Sequence, residues 1–384
     1  MIIQSLLFVV CVLGGDLDPI PEPPTPAPTS GLLSRNVFWR GQQASDGTVY
    51  PCIRIPSLLQ AGSGVQLAFA ECRLRTGDGC FPPNIFMSGH RDVCMRRSVD
   101  GGDTWGPLTV VAPNASQNTP VYDPARRAVV LNLLTASNHN AQVVSHDDGL
   151  TWGPLEPLSP FLGGLDGSLT GPGVGLRLSN TNPHHPGRLL FIGHHGAYVE
   201  DVVWFSDDGG KTYNLSSTPS GYTFPRMDEA QLVELENGDV IANMRNDIKQ
   251  PSGGSLRGVA FSTDGGSSFS SPSFDPSLVE PVCMASILRA APPLGDGNVY
   301  FSNPGQATGR VNGLVRRSRG CGAETCTWDG SLVIDAGAPF GYSCLGPINT
   351  THMGLLWETN AEPCYSNSSA CLLVFSVIPL SAFN

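Results

Sequence analysis

Three arginines stand in strand-like surroundings at widely separated points of the chain. Arg54 lies between two isoleucines in Tyr50-Pro-Cys-Ile-Arg-Ile-Pro56, Arg245 ends the apolar run that starts at Asp239, and Arg310 precedes Val-Asn-Gly-Leu-Val. β-Branched neighbours and a following proline favour a strand end, which would aim each cation in a fixed direction. The planar guanidinium group binds carboxylates through two parallel hydrogen bonds. A single arginine in such a place is most often a solvated surface residue, so only the three together indicate a site that binds a carboxylate.

Three further residues could complete a reactive site. Tyr342 stands in Phe-Gly-Tyr-Ser-Cys-Leu, Glu229 in Met-Asp-Glu-Ala-Gln-Leu-Val-Glu-Leu, and Glu358 in Leu-Leu-Trp-Glu. A phenol with an ordinary pKa near 10 is a poor nucleophile at neutral pH, so it needs a base that takes its proton. Clustered arginines repel one another and need carboxylates behind them. The plainer interpretation of Tyr342 is a core tyrosine with a satisfied hydroxyl.

A repeated turn carries most of the architectural information. Four copies share the pattern Ser-x-Asp-x-Gly-x-(Thr/Ser)-aromatic: SVDGGDTW (Ser98–Trp105), SHDDGLTW (Ser145–Trp152), SDDGGKTY (Ser206–Tyr213) and STDGGSSF (Ser262–Phe269). In such a turn the aspartate caps backbone N–H groups, the glycine takes a positive φ, and the aromatic side chain packs into the sheet. Short apolar runs of strand length separate the copies. One turn for about four short strands indicates a radial repeat and therefore a β-propeller.

These features together resemble the sialidase (neuraminidase) family over roughly Asn36 to the C-terminus. Arg54 matches that family's "F/Y-R-I-P" motif, and the repeated turns look like its Asp boxes, which lie on the outside of the blades. We therefore expect a structural role for their aspartates. The resemblance implies an all-β, six-bladed β-propeller. It also implies an exo-α-sialidase that hydrolyses terminal sialic acids from glycoproteins, glycolipids and oligosaccharides with retention of configuration.

The resemblance also implies a role for each residue named above. Arg54, Arg245 and Arg310 would hold the substrate carboxylate, and Glu358 would brace Arg54. Tyr342, in a context similar to the family's "(A/G)-Y-S-x-L" strand, would be the nucleophile and Glu229 its base. A neutral phenol suits this substrate because the anomeric carbon bears a carboxylate that would repel an anionic nucleophile, and tyrosine-nucleophile sialidases are an exception to the two-carboxylate rule.

The proton donor has two candidates. The family places an aspartate in a loop after "F-A-(E/D)-x-R", which is Phe69-Ala-Glu-Cys-Arg73 here, and both Asp78 and Asp92 follow it. Asp78 is preferred because a loop residue could reach the leaving oxygen. Asp92 better matches a second aspartate that contacts the ligand. Arg73 is expected to contact the ligand as well, or else to form an ion pair with Glu71 or Asp92.

Composition narrows the class of partner. The 384 residues carry a net charge of −11, which argues against nucleic acid or an anionic membrane. It does not argue against an anionic sugar, because distant surface charge is screened beyond about 8 Å. The pairs His184-His185 and His194-His195 lack the further ligands of a zinc site. No metal or organic cofactor is implied.

The N-terminal part predicts a secreted protein. Residues 1–15 contain an apolar run too short to span a bilayer and are interpreted as a signal peptide. Residues 16–35 are rich in proline and would form an extended linker, and residues 36–384 would form the propeller. Ten cysteines remain after the signal peptide, and the pairs Cys321/Cys326 and Cys364/Cys371 are candidate disulfides. With four N-glycosylation sequons, these features favour an extracellular or lysosomal location.

Two other functions are compatible with parts of this pattern. A sialic-acid-binding propeller without turnover would keep the arginines and could dispense with Tyr342 or the acid. A propeller that acts on neutral glucans, or serves as a protein receptor, would have no need of three arginines that hold a carboxylate. Release of sialic acid as against binding alone separates the first alternative from the enzyme.

Overall fold

A computed structural model of the 384-residue chain shows a ring of small antiparallel sheets. The structure describes residues 18–75, 80, 86–158, 162–196, 199–246, 255–293, 295–322, 326–360 and 372–383. The predicted signal peptide, Asp78, Cys364 and Cys371 lie outside these residues.

Three short strands precede the first blade: β1 (Ser34–Trp39), β2 (Gln42–Gln43) and β3 (Val49–Tyr50). The first blade contains β4 (Cys52–Gln60), β5 (Gln66–Arg75), β6 (Phe86–Ser98) and β7 (Thr109–Ala112). The second contains β8 (Ala115–Asp123), β9 (Ala128–Thr135), β10 (Asn140–Ser145) and β11 (Glu156–Pro157). After a 3₁₀ turn (Gly163–Leu165), the third contains β12 (Leu169–Thr170), β13 (Leu176–Arg177), β14 (Leu189–His195), β15 (Glu200–Ser206), β16 (Asn214–Leu215) and β17 (Thr223–Pro225).

The remaining blades follow in chain order. The fourth contains β18 (Asp228–Glu234), β19 (Val240–Arg245), β20 (Leu256–Ser262) and β21 (Ser273–Val279). The fifth contains β22 (Ser286–Arg289), β23 (Val299–Pro304), β24 (Val311–Cys321) and β25 (Cys326–Pro339). The sixth contains β26 (Ser343–Asn349), β27 (His352–Thr359) and β28 (Leu372–Pro379), before a 3₁₀ turn at Leu380–Phe383. The predicted six-bladed, all-β propeller is confirmed.

The ring is closed by strands from the two ends of the chain. β1 pairs antiparallel with β28, so that Arg35 lies opposite Phe375 and the last blade takes its fourth strand from the beginning of the sequence. The first strands of the blades line the centre: β4 lies against β8 and β26, and β22 lies against β18 and β26. Residues near the ends of these strands can therefore meet although they are far apart in the sequence.

The proline-rich segment before β1 is bound to the propeller surface. The indole N–H of Trp39 donates to Ile20 O at 2.9 Å, and Asn36 Nδ2 donates to Pro23 O at 2.6 Å. The first strand of the propeller begins at Ser34, inside the stretch predicted as linker.

The four repeated turns have one geometry. In the first, Ser98 Oγ accepts the N–H of Gly102 at 2.8 Å, and Asp100 accepts the backbone N–H of Thr104 at 2.9 Å. Hydrogen bonds from Thr104 and Ser98 lower the pKa of Asp100 to about 2. The same set of bonds recurs around Asp147, Asp208 and Asp264.

The aromatic residue that ends each turn joins neighbouring blades. Trp105 of the first blade packs edge-on against Phe375 of the sixth, with ring centroids 5.4 Å apart, and Trp152 of the second packs against Phe69 of the first at 5.9 Å. The hydroxyl of Tyr213 in the third blade donates to Gln142 of the second at 2.6 Å. Through its aromatic residue, each of these turns contacts the preceding blade and stabilises the contact between blades. This is the structural role expected from the repeat.

Candidate functional site

Arg54 lies on β4 at the centre of the ring and is 2 % exposed. Its Nε and Nη2 atoms donate to the two carboxylate oxygens of Glu358, each at 3.0 Å. The same carboxylate accepts the backbone N–H groups of Ile55 and Tyr342, both at 3.1 Å. Glu358 therefore holds the side chain of Arg54 and the backbone of Tyr342 in one arrangement.

Tyr342, Glu229 and Arg245 form a second connected set. The phenol of Tyr342 donates to Glu229 Oε1, and Arg245 Nη1 donates to Glu229 Oε2. Arg245 Nη1 also lies 3.3 Å from the phenol oxygen. All three side chains are buried, at 6 %, 3 % and 8 % exposure. The base predicted from the sequence is thus in direct contact with the predicted nucleophile.

Arg310 completes the group from the fifth blade. Its guanidinium carbon lies 5.3 Å from the centroid of the Tyr342 ring, and that of Arg54 lies 4.8 Å from the same centroid. Arg310 Nη2 donates to Val282 O at 3.2 Å. The structure therefore brings Arg54, Arg245 and Arg310 around one phenol, although 256 residues separate the first from the last (310 − 54).

Opposing effects set the protonation of the reactive pair. Burial and the negative charge of Glu229 raise the pKa of Tyr342 well above its ordinary value, and Arg245, Arg54 and Arg310 only partly oppose this. Burial also disfavours ionisation of Glu229, but Arg245 and His194 outweigh it and lower the pKa of Glu229. The resting pair is a neutral phenol that donates to a carboxylate, so the proton already points at the group that would accept it.

Irregular backbone directs these side chains inward. Ile55, Gln117 and Glu229 have positive φ angles of 65°, 56° and 31°, and each lies at a register shift of the first strand of its blade. A β-branched residue with positive φ is strained, and such strain persists only where surrounding contacts hold it. The hydrogen bond from Ile55 N to Glu358 is one such contact. These bulges change the direction of the chain beside Arg54 and at Glu229.

Arg73 forms an ion pair, one of the two outcomes considered for it. Its Nε donates to Glu71 Oε1 at 2.5 Å, and Arg91 Nη1 lies 3.5 Å from the same oxygen. Glu71 is fully buried, which opposes its ionisation, but Arg73 and Arg91 outweigh burial and lower its pKa. Contact of Arg73 with a ligand stays a prediction.

Asp92 is held by three protein groups. Its carboxylate accepts the phenol of Tyr50 at 2.6 Å and the backbone N–H of Asn114 at 2.9 Å, and lies 2.7 Å from His90 Nε2. It is 4 % exposed. Its predicted contact with a ligand is untested, as is the role of Asp78, which lies outside the described residues.

Sequence reasoning missed a further buried set beside Glu229. Arg257, which is 0 % exposed, donates to Glu280 Oε2 at 2.7 Å and to Cys283 O at 2.9 Å. Asp228 accepts the backbone N–H of Glu229 at 2.8 Å. Arg257 stands in an ordinary strand pattern that gives no signal of a site, whereas the position of Asp228 next to Glu229 could have drawn attention.

Three disulfides are formed in the described part of the chain. Cys321–Cys326 is bonded as predicted, and Cys52–Cys80 and Cys72–Cys94 are bonded as well.

Within the described ranges, no three His, Cys, Asp or Glu side chains are grouped to hold a metal. A cavity of about 700 Å³ between the turns of Trp105 and Trp152 contains none of the predicted site residues. No helix in the part of the chain that the structure describes is long and apolar enough to cross a membrane.

The fold and these contacts define a class of protein: a six-bladed propeller whose centre holds three arginines around a tyrosine–glutamate pair. Guanidinium groups in this number can bind an acidic ligand, and a phenol bonded to a carboxylate can act as a nucleophile.

Comparisons with known proteins agree with this class. No family model matches the sequence. The sialidase of Micromonospora viridifaciens is 30 % identical over 357 residues, which cover 83 % of this chain and 51 % of that protein. The sialidase of Bacteroides fragilis is 29 % identical over 356 residues, covering 80 % of this chain and 60 % of that protein. The solved intramolecular trans-sialidase of Ruminococcus gnavus, in complex with oseltamivir carboxylate, superposes with a TM-score of 0.72 at 18 % identity, covering 91 % of this chain and 98 % of that one.

The chain is similar in sequence and in fold to sialidases. It spans about half to three fifths of the length of the two curated relatives named above.

Proposed function

We propose that the protein is an exo-α-sialidase, a glycoside hydrolase that releases terminal sialic acids from glycoproteins, glycolipids and oligosaccharides. One observation carries the proposal: Arg54, Arg245 and Arg310 surround the phenol of Tyr342, which donates to Glu229. The sialidase relatives support the same substrate class.

The three arginines would bind the carboxylate of the sugar. A hydrogen bond to a charged group contributes about 1.5–3 kcal/mol, so the loss of one arginine should weaken binding or turnover by about 10- to 150-fold for each bond it makes. Glu358 would keep Arg54 in place, because it accepts both guanidinium contacts from a fully buried position.

Tyr342 would attack the anomeric carbon while Glu229 takes its proton. The resulting glycosyl-tyrosine would then be hydrolysed by water that approaches from the face vacated by the leaving group, opposite Tyr342. Two displacements of this kind retain the anomeric configuration. The lowered pKa of Glu229 keeps this base ionised above the acid range, and the raised pKa of Tyr342 keeps the proton on the phenol until attack. Because of this difference, the proton would move in the course of the reaction and not before it.

Asp78 would protonate the leaving oxygen. The assignment depends on the family resemblance of the Phe69-to-Arg73 segment. The contacts of Asp92 support it indirectly, because the carboxylate of Asp92 is occupied by Tyr50, Asn114 and His90.

The compartment would be oxidising. Three disulfides in the described part of the chain are typical of secreted proteins. We infer an extracellular or lysosomal location, and a rate maximum near pH 4–5 would favour the lysosome.

The test is the hydrolysis of a fluorogenic α-sialoside, followed by NMR of the first product. We expect free sialic acid released as the α-anomer, and a rate in the Arg54→Ala variant lower by about 10²-fold or more. A normal rate in that variant would refute the carboxylate-binding role. If the wild-type protein binds sialic acid without releasing product, it is the sialic-acid-binding propeller that the sequence also allows.

A further inference from the structure

A layer of buried acidic and basic side chains lies behind Glu229, between the third and fourth blades. Each member is at most 8 % exposed. Its described members are four carboxylates and three groups that can be cations: Asp201, Asp228, Glu229, Glu280, His194, Arg245 and Arg257.

Asp228 connects this layer to the reactive pair. Its Oδ1 atom accepts the backbone N–H of Glu229 at 2.8 Å, and its Oδ2 atom lies 3.4 Å from Arg245 Nε. Glu229 has a φ of +31°, a conformation that needs local support. The hydrogen bond from the backbone N–H of Glu229 to Asp228 supplies such support at the residue whose side chain must meet Tyr342.

Asp201 is the unusual member. It lies on β15 opposite His194 of β14 and is 0 % exposed. Neither of its carboxylate oxygens has a hydrogen-bond partner among the described residues. An ionised carboxylate in such a place is strongly unfavourable, whereas a protonated one is tolerated.

The charges of the described residues in this layer also favour a protonated Asp201. Glu229 pairs with Arg245, and Glu280 pairs with Arg257 at 2.7 Å. His194 Nδ1 lies 3.4 Å from Asp228 Oδ1.

Even with His194 protonated, three positive charges face four carboxylates. Among the described members of this layer, Asp201 is the carboxylate for which no cation remains.

We propose that Asp201 is a buried proton-binding site that allows Asp228 and Glu229 to be ionised together, and that Asp228 is the positioning residue of the Glu229 base. The part that concerns Asp228 rests on the proposed function, whereas the proton on Asp201 does not.

The groups facing Asp201 support the assignment. They are His194 on β14, Asp228 and Glu229 on β18, Arg245 on β19 and Arg257 on β20, and the facing residue of β17, Phe224, is uncharged. Burial comes first among the causes that raise the pKa of Asp201 well above its ordinary value. Asp228 and Glu229 raise it further, and Arg257 and Arg245 oppose them.

The sign of the effect on stability follows from this direction. A carboxyl group with a raised pKa in the folded state stabilises the fold fully below its unfolded pKa of about 3.9, and this contribution is lost as pH rises toward the folded pKa. The isosteric Asp201→Asn variant lacks this proton. The ratio of the equilibrium constant of unfolding of the wild type to that of the variant should therefore rise with pH. Above about pH 4 the rise should be up to about tenfold per pH unit.

Urea unfolding of both proteins from about pH 5 to pH 8 measures this difference. Asp123→Asn is a matched control, because Asp123 is also buried, at 4 % exposure, but is paired with Arg177 at 3.0 Å. We expect the Asp201 variant to be more stable than the wild type at pH 8 and the Asp123 variant to be less stable. A difference between wild type and the Asp201 variant that does not change with pH would overturn the proton site.

Infrared spectroscopy detects the proton directly. At neutral pH the wild type and the Asp123 variant should show the carbonyl band of a neutral carboxylic acid, and the Asp201 variant should lack it. A wild-type spectrum without this band would also overturn the proton site.

The positioning role of Asp228 is tested by two variants with fluorogenic sialoside. Asp228→Asn keeps an oxygen that can accept the N–H of Glu229, whereas Asp228→Ala does not. At a melting temperature close to that of the wild type, we expect kcat to fall by about 10²-fold in the alanine variant and by less in the asparagine variant. Equal kcat in all three proteins would overturn the positioning role, and a wild type without turnover would refute the proposed function while the unfolding and infrared results still decide the proton site.

Discussion

Removal of the Tyr342 hydroxyl tests whether Tyr342 is the nucleophile or only binds the substrate. In the structure this hydroxyl donates one hydrogen bond to ionised Glu229 and lies 3.3 Å from Arg245 Nη1. A hydrogen bond to a charged group contributes about 1.5–3 kcal/mol, which corresponds to about 10- to 150-fold in rate. If Tyr342→Phe removed only this contact, turnover would fall within that range. If Tyr342 forms the covalent bond to the sugar, kcat should fall by well over about 10³-fold.

Single-turnover and steady-state hydrolysis of a fluorogenic sialoside measure the loss, and mass spectrometry of quenched enzyme tests for a sialosyl group on the peptide that contains Tyr342. Tyr50→Phe is the matched control, because the hydroxyl of Tyr50 is also buried and donates to a carboxylate, Asp92, at 2.6 Å. We expect the control to lose no more than the hydrogen-bond range. Equal losses in the two variants, or a sialosyl group on another residue, would refute the nucleophile assignment.

Three further outcomes follow from other contacts. Glu358→Gln should destabilise the fold by about 3–5 kcal/mol, because it removes the negative charge that faces the buried Arg54 cation. With an unfolding entropy of about 2.1 cal/mol/K per residue, this lowers the melting temperature by roughly 4–6 °C in calorimetry. The difference in stability between the wild type and Glu229→Gln should be constant above about pH 4.5 and should shrink as the pH falls. The reason is that the pKa of Glu229 is lower in the folded state, so its ionised form stabilises the fold above the unfolded pKa and this contribution disappears in acid. A difference in urea unfolding that does not change with pH would contradict this. Replacement of Cys321 and Cys326 by serine should cost about 2 kcal/mol, because a cross-link five residues apart closes a short loop, and a loss above about 4 kcal/mol in urea unfolding would show that the bond does more.

Local chemistry in the sequence was sufficient to predict a β-propeller, although the number of its blades came from the resemblance to a family. The four repeated turns combine a capping aspartate, glycines with positive φ and an aromatic side chain, and all of these act within eight residues. The structure reproduces the turn at each copy, for example through Ser98 and Asp100. Strand bounds follow apolar runs equally well, as at β9 (Ala128–Thr135). Because these signals are local, they can be recognised in the sequence without knowledge of the neighbouring blades.

The resemblance to a family supplied the names of the site residues, but the sequence could not say how they are held. Ile55 is β-branched and would be expected to stay in regular β conformation, yet it has a φ of +65° at the bulge beside Arg54. The carboxylate of Glu358, 303 residues away, accepts its N–H. That contact exists only because the ring closes.

The sequence by itself determined the strands and the repeated turns, since each depends on interactions between residues close together in the chain. The number of six blades came from the resemblance to a family and not from these local signals. Only the tertiary structure decided that β1 pairs with β28 and that Arg54 and Tyr342 share one carboxylate. It also decided that Asp201 is buried with no hydrogen-bond partner in the described part of the chain. The physical reason is that burial and counter-charge are properties of a place in the closed ring. Residues that neither the hydrophobic pattern nor the turns relate to one another are brought together there.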